Sequence, residues 1–211
     1  MFALLTLSLL AATPQPLKSY FIGVTGLQVL QRDSGPVNYY KTIDSGPAAY
    51  VHADYQPPLK TVALFQALPD VFRKGVKRAR WRWRALVLPV HGNECGYGKG
   101  DSAAAVYMTW KSGLRYYSLK FVWSADAKVG DTCNKKRNPF VFSDSIVLRS
   151  GQTSTEWVTE EIDPNELFAK HFIDTGDTDS LPEFQGFGLL TDGDQTLSES
   201  SADYAGFEFF K

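Results

Sequence analysis

The sequence has few cysteines and histidines, and this scarcity limits its chemistry. Only two cysteines, Cys95 and Cys133, occur in 211 residues, and both lie in Gly-, Asn- and Lys-rich segments that are typical of loops. The three histidines lie far apart, and no Cys-x-x-Cys or His-x-x-x-His spacing is present, which argues against a zinc site. In an exported chain, two cysteines and no others predict one disulfide between the two loops.

Neither sign of charge is in excess, because 22 Lys and Arg residues face 23 Asp and Glu residues. Nucleic-acid-binding proteins usually carry a basic excess, so the balance argues against nucleic acid as the main partner. The one strongly basic run extends from Arg73 to Arg84. We interpret it as a solvated loop leading into a strand, with an anion or acidic-glycan patch as the alternative.

The sequence also lacks an apolar run long enough to span a bilayer. About ten apolar residues at the N-terminus, followed by small residues, are typical of the hydrophobic part of a signal peptide. No Lys or Arg precedes this run and no clean cleavage site follows it, so a first strand or helix of the fold is the alternative. We favour export, with residues 1–16 as a leader and residues 17–211 as one extracytoplasmic domain, periplasmic or secreted.

No complete catalytic motif is present. The chain has no Gly-x-Ser-x-Gly segment and no His beside a plausible nucleophile. Glu160 and Glu161 are adjacent, so on a strand they point to opposite faces and cannot form the facing pair of carboxylates that glycosidases need. Asp101 with Glu160, across strands, remains an open alternative. We therefore favour a non-catalytic protein.

What the sequence does contain is a succession of short β-rich runs separated by turn residues, which is typical of a β-sandwich or barrel. One convincing helix, Pro164–Phe172, follows Asp163 as its N-cap, and Pro69–Lys77 is a weaker second candidate. No repeat or composition shift marks a domain boundary. The predicted strands are Val37–Ile43, Ala48–Ala53, Thr61–Ala67, Arg80–Leu88, Ala103–Trp110, Tyr117–Trp123, Ser145–Arg149, Glu156–Ile162, Gln185–Thr191 and Tyr204–Phe210.

Side chains alternate most clearly in the strand that begins near Arg80. The period of two places Trp81 and Trp83 on one face and Arg82 and Arg84 on the other. One face must pack in the core, and the open question is whether the arginines point to bulk water or to a concave ligand surface.

The segment Thr191–Thr196 is the most suggestive for metal binding. Asp192 and Asp194 alternate around a glycine and could supply oxygen ligands to Ca²⁺, with Asp203 and Glu208 as further candidate ligands. The alternative is a polar turn in which both aspartates bond their own backbone. A structural Ca²⁺ is therefore one of two interpretations.

Over about the last 130 residues, strand by strand, the chain resembles the bacterial family known as domain of unknown function 3047. No single motif is diagnostic, but their order is. The motifs are Trp81-Arg-Trp83, Gly100-Asp101 leading to Tyr107 and Trp110, Phe121-Val-Trp123, Arg149-Ser-Gly151, Trp157 with Glu160 and Glu161, Asn165-Glu-Leu-Phe168, Thr191-Asp-Gly-Asp-Gln-Thr196 and Ala202-Asp-Tyr204.

The chain departs from that family pattern in three places. Ser102 replaces a second aspartate, Ala103–Ala105 replaces a run that usually carries an arginine, and Ile162 replaces another arginine. If these positions form a charged site in relatives, it is lost or altered here. The resemblance implies an antiparallel, two-sheet, all-β jelly-roll sandwich that is galactose-binding-like and has one short helix. It implies no particular activity.

Aromatic residues make up 14% of the chain, and flat aromatic faces beside polar groups suit sugar recognition. Candidate exposed aromatics are Trp81, Trp83, Trp110, Tyr116, Tyr117, Trp123 and Trp157, although at least three of the five tryptophans should be buried. The predicted function is non-catalytic glycan binding. The predicted ligand-binding residues are Arg82, Arg84, Asp101, Tyr107, Trp123, Trp157 and Glu160.

Two other functions remain as alternatives on the same scaffold. One is a polysaccharide hydrolase or lyase, for which a lyase would need a set such as Tyr107, His91 and Arg82, an assignment that the sequence disfavours. The other is an envelope protein that binds a partner protein through an exposed apolar patch.

Overall fold

A computed structural model describes residues 17–30, 38–44, 46–173 and 181–211. The predicted leader, residues 1–16, lies outside the described residues, as does Val37 at the start of the first predicted strand. Thirteen strands and two α-helices are present in the described ranges. The helices are α1 (Asp70–Arg73) and α2 (Pro164–Phe172), and two 3₁₀ turns cover Val24–Gly26 and Gly46–Ala48.

The strands form two sheets that pack face to face around one core. In chain order they are β1 (Ser19–Ile22), β2 (Gln28–Leu30), β3 (Tyr40–Ile43), β4 (Tyr50–Tyr55), β5 (Ala63–Ala67), β6 (Arg78–Val87), β7 (Ala104–Ser112), β8 (Arg115–Ser124), β9 (Thr132–Arg137), β10 (Val141–Ser150), β11 (Val158–Ile162), β12 (Glu183–Leu190) and β13 (Ser200–Phe210).

The six-stranded sheet has the order β11-β6-β13-β4-β3, with β1 paired to the other end of β13. The seven-stranded sheet has the order β2-β5-β12-β7-β8-β10-β9. The all-β jelly-roll sandwich predicted from the sequence is confirmed. One pair departs from the antiparallel pattern, because β8 and β10 run parallel. The segment between them crosses over and supplies β9 at the sheet edge, as a parallel pair requires.

All ten predicted strands are present, with bounds shifted by a few residues, whereas β1, β2 and β9 were not predicted. Helix α2 occupies the predicted range, and its Asp163 N-cap accepts hydrogen bonds from the backbone N–H groups of Asn165 and Glu166. The weaker helix prediction at Pro69–Lys77 is reduced to the single turn of α1. Gly75, with φ +77°, lies in the left-handed region and prevents the helix from continuing.

The core is rich in aromatic rings. Trp81, Trp83 and Trp110 are fully buried and Trp123 nearly so, which confirms that at least three of the five tryptophans are core residues. The prediction that these four could be exposed sugar-stacking residues is therefore wrong. Burying these rings in the core stabilises the fold, because it removes a large apolar area from water.

The predicted disulfide between Cys95 and Cys133 is present, and it links loop 89–103 to strand β9. This bridge fixes the loop over the outer face of the seven-stranded sheet. No helix in the described part of the chain is both long and apolar enough to cross a membrane.

Candidate functional site

Strand β6 gives the outer face of the six-stranded sheet its charge. Its residues alternate between buried and half-buried along the strand, so the tryptophans enter the core and four arginines point outward. We call these four the arginine row. Its members are Arg78, Arg80, Arg82 and Arg84.

Ion pairs fix most of the arginine row in place. Arg80 donates two hydrogen bonds to Glu161, of 2.9 Å from Nε and 2.8 Å from Nη2, and its Nη1 lies 3.6 Å from Glu208. Arg78 lies 3.5 Å from Glu161. The interpretation of the basic run as a loop leading into a strand fits residues 74–77, which precede β6. On β6 itself the run is not a bare anion patch, because neighbouring strands supply carboxylates.

Asp203 on β13 is the buried anchor of this face. It accepts a 2.7 Å hydrogen bond from Arg84 Nε, and His52 Nδ1 lies 2.7 Å from its other carboxylate oxygen. Arg84 also donates 2.8 Å to the Thr155 carbonyl. One oxygen of Asp203 is therefore engaged by a guanidinium and the other by an imidazole.

Trp157, just before β11, lies beside these charges. Its ring centre is 4.6 Å from the Arg84 guanidinium carbon and 5.5 Å from that of Arg82, and Tyr50 meets it edge-on at 5.6 Å between ring centres. Of the five tryptophans, all of which the structure describes, Trp157 alone is not buried. We call this group the tryptophan–arginine patch, and it consists of Tyr50, His52, Arg82, Arg84 and Trp157.

A second polar group lies on the outer face of the seven-stranded sheet, beneath loop 89–103. Glu94 accepts hydrogen bonds from Ser102 Oγ at 2.8 Å, Lys120 Nζ at 2.9 Å and Ser145 Oγ at 3.0 Å. Asp192 accepts a 2.8 Å hydrogen bond from the Ser102 backbone N–H. All five residues are buried, and we call them the covered cluster.

Burial sets the protonation of the covered cluster. It raises the pKa of Asp192 to about 7, although Lys120 opposes the shift. Burial alone would lower the pKa of Lys120, but the Glu94 carboxylate outweighs it and holds that pKa well above the usual range. Tyr107, whose ring centre lies 5.6 Å from Lys120 Nζ, has its pKa raised to about 12, also by burial.

Asp101 holds the cover in place. Its carboxylate accepts hydrogen bonds of 2.7 Å from both the backbone N–H and the hydroxyl of Thr196, and of 3.3 Å from the Gln195 N–H. Loop 89–103 is thereby joined to segment 191–199. Asp101 thus has a structural position, with no exposed surface, instead of the ligand-facing position predicted for it.

The predicted ligand-binding residues fall into separate places. Trp123 is buried, and its Nε1 donates to the Gln152 carbonyl at 2.9 Å. Glu160 accepts from Trp83 Nε1 at 3.1 Å and from Arg149 Nε at 2.8 Å. The remaining predicted residues divide between the two faces: Arg82, Arg84 and Trp157 lie in the patch, while Asp101 and Tyr107 lie by the covered cluster.

The alternative enzyme assignments are not assembled by the fold. Asp101 accepts from Gln195 and Thr196, whereas Glu160 accepts from Trp83 and Arg149, so the two carboxylates are engaged by separate sets of partners. Tyr107 and Arg82 lie on opposite outer faces of the sandwich, with the core between them. Glu160 and Glu161 do point to opposite faces, as predicted, because Glu161 pairs with the arginine row.

The three aspartates of the calcium hypothesis are not gathered into one ligand set. Asp192 lies in the covered cluster, Asp203 is engaged by Arg84 and His52, and Asp194 is exposed. Within the described ranges, no group of three or more His, Cys, Asp or Glu side chains is arranged to hold a metal ion. Calcium binding stays a prediction without an identified site.

Sequence reasoning missed Glu94, Lys120, Tyr50 and His52. One signal could have identified the first pair: Lys120 is flanked by apolar and aromatic residues from Leu119 to Trp123, and a buried ammonium needs a carboxylate partner. Ser102 bonds both Glu94 and Asp192.

Comparison with known proteins gives a family. No curated protein matches the chain. Among solved structures, the X-ray structure of Trichoderma harzianum endoglucanase 3 from family GH12 is similar at 12% identity and a TM-score of 0.46, covering 95% of this chain and 99% of that one. A family model described as "Protein of unknown function (DUF3047)" matches residues 40–208. The match covers most of the sequence, so the chain belongs to the DUF3047 family.

Proposed function

We propose that the protein binds carbohydrate, without catalysis, on the outer face of its six-stranded sheet. The observation that carries the proposal is the position of Trp157, the one tryptophan left unburied, among polar and charged groups on an open sheet face. An isolated surface aromatic needs no explanation, but one held between two arginines and a tyrosine has a defined orientation.

The chemistry of the patch suits a sugar. The C–H groups of a pyranose ring pack against aromatic faces, while its hydroxyls need hydrogen-bond partners at the rim. The guanidinium groups of Arg82 and Arg84 donate, and the imidazole of His52 can donate or accept. The patch is built on strands, which position side chains more rigidly than loops do.

The disulfide supports a location outside the cytoplasm, since disulfides persist in oxidising compartments. We therefore propose that the glycan belongs to the cell envelope or the extracellular matrix. Both are places where an exported sandwich domain would meet polysaccharide.

Affinity electrophoresis through gels containing different polysaccharides tests the proposal. We expect the wild type to be retarded by at least one of them, and Trp157→Ala to bind about tenfold more weakly or worse. Tyr97→Ala is the matched control, because Tyr97 is a fully exposed aromatic on loop 89–103, away from the patch. Retardation by none of the polysaccharides, or equal losses in both variants, would overturn the proposal. Repeating the gels with EDTA tests the calcium hypothesis.

One observation favours a second candidate, a glycoside hydrolase. Glu94 and Asp192 both bond Ser102, and the pKa of Asp192 is raised to about 7, as in acid–base pairs whose environments separate their titrations. Substrate would have to reach buried groups, so loop 89–103 would have to move. Hydrolysis of chromogenic polysaccharides that is lost in Glu94→Gln would support it, and no turnover by the wild type would exclude it for those substrates.

A further inference from the structure

We infer that the bound carbohydrate carries an anionic group, a carboxylate or a sulfate, and that Arg82 binds this group. The inference rests on the proposed function, because it names the ligand class for the same site. It starts from one difference within the arginine row. In the described ranges, Arg82 is the member that has no acidic partner.

The register of the sheet explains why Arg82 has none. Its cross-strand neighbours are Thr159 on β11 and Ala205 on β13, and neither side chain can carry a negative charge. The corresponding neighbours of Arg80, two residues earlier on the same strand, are both glutamates. Neighbouring strands therefore supply carboxylates to the other arginines of the row and none to Arg82.

An uncompensated guanidinium in this position is available to an anionic ligand. Arg82 is half-buried in the middle of the sheet face, where charges are screened less than at a fully exposed position. A guanidinium presents a planar fork of N–H donors that matches the two oxygens of a carboxylate or sulfate. A ligand anion would supply the partner that the sheet does not.

The surroundings of Arg82 hold its side chain ready. Its guanidinium carbon lies 5.5 Å from the centre of the Trp157 ring. Gly206 has φ +65° and lies so close that a Cβ there would be 2.9 Å from Arg82 Nε. A glycine at this β-bulge thus leaves room for the arginine while adopting a backbone conformation that other residues avoid. Because the guanidinium lies against the ring that we assign to the sugar, it is placed to meet a substituent of that sugar.

A purely structural role for Arg82 is the competing explanation, since cation–π contact with Trp157 could suffice. However, Arg84 makes the closer contact, at 4.6 Å against 5.5 Å. A structural role also predicts that loss of Arg82 affects all sugars equally. An anion site predicts that it affects charged sugars alone.

The test measures binding of wild type and Arg82→Gln to three probes: polygalacturonate for carboxylate, dextran sulfate for sulfate, and unmodified dextran as neutral. We expect the wild type to prefer one charged probe and Arg82→Gln to bind that probe about tenfold more weakly or worse. Arg115→Gln is the control, because it removes one exposed positive charge from the other sheet. Its binding should equal that of the wild type.

Each result has one meaning. Equal wild-type affinity for charged and neutral probes, or equal weakening of both by Arg82→Gln, overturns the anion inference and leaves the proposed function intact. Binding to no polysaccharide at all overturns the proposed function itself. Should Arg82→Gln not fold, the salt dependence of wild-type binding decides, since only an ion-paired ligand is released as salt rises to about 1 M.

Discussion

Both outer faces of the sandwich carry oppositely charged side chains, but one face is open to solvent and the other is covered by a loop. On the six-stranded sheet, arginines pair with carboxylates on neighbouring strands, and Arg80 and Glu161 remain partly open to solvent. On the seven-stranded sheet, Glu94, Lys120 and Asp192 lie beneath a loop held by a disulfide. An open face leaves a charge available to a ligand, whereas a covered face forces every charge to find its partner inside the protein.

The charged groups on the two faces are neutralised in different ways. In the covered cluster, Lys120 donates to Glu94, and the pKa of Asp192 is raised to about 7 because burial disfavours its charged form. In the arginine row, three of the four guanidinium groups, those of Arg78, Arg80 and Arg84, pair with Glu161, Glu208 and Asp203, and that of Arg82 does not. The covered face therefore adjusts by protonation, while the open face can adjust by binding an anion.

The largest expected effect comes from removing the cation of the covered cluster. Lys120→Met removes the ammonium group that donates to the buried Glu94 carboxylate, which should lower the free energy of unfolding by about 3–5 kcal/mol. Urea unfolding measures the change. Lys128→Met, at an exposed position, should stay within about 0.5 kcal/mol of the wild type.

A double variant separates charge from packing in this experiment. Glu94→Gln combined with Lys120→Met removes both charges, so it should recover much of the stability that Lys120→Met loses. If the double variant is as unstable as the single one, the loss comes from packing, and the contrast between the two faces is not electrostatic.

The next effect is a pH dependence confined to the covered face. The folded pKa of Asp192, about 7, lies above the usual 3.8, so the folded protein retains a proton that the unfolded chain releases at lower pH. The contribution of this group to stability therefore falls as pH rises from about 4 to about 7 and is constant above that.

Asp192→Asn removes this titration and keeps an oxygen to accept from the Ser102 N–H. Relative to wild type, its free energy of unfolding should rise by up to a few kcal/mol between pH 4 and pH 8, measured by urea unfolding across that range. Asp194→Asn, at an exposed position, should track the wild type. Parallel curves for wild type and Asp192→Asn would show that Asp192 is ionised in the folded protein throughout.

Local pattern predicted the parts of this fold that depend on neighbouring residues. Alternation from Trp81 to Arg84 correctly divided the strand between core and surface, and Asp163 with Pro164 located the start of α2. The local pattern could not show which of the five tryptophans stays exposed. Trp157 differs from the other four tryptophans only in what packs over it, and that depends on strand order.

Contacts between distant residues could not be predicted in the same way. His52 and Asp203 are 151 positions apart, and Glu94 and Lys120 meet through a loop that folds back over the sheet. Strand β9 was missed because its sequence, TCNKKR, is polar, as suits an edge strand. The tryptophan–arginine patch and the covered cluster thus depend on how the strands are connected, which the sequence pattern did not reveal. The residue types that form them could be read from the sequence.

The smallest expected effect is the open-face counterpart of Lys120→Met. Arg80→Gln removes a cation whose partner Glu161 is similarly accessible, with side-chain exposures of 39% and 41%, so water replaces the lost bonds. The free energy of unfolding should fall by less than about 1 kcal/mol. Measured in the same buffer, Arg80→Gln and Lys120→Met each remove one positive charge from beside a carboxylate, once on the open face and once beneath the loop. A cost for Arg80→Gln as large as that for Lys120→Met would mean that solvent does not distinguish the two faces.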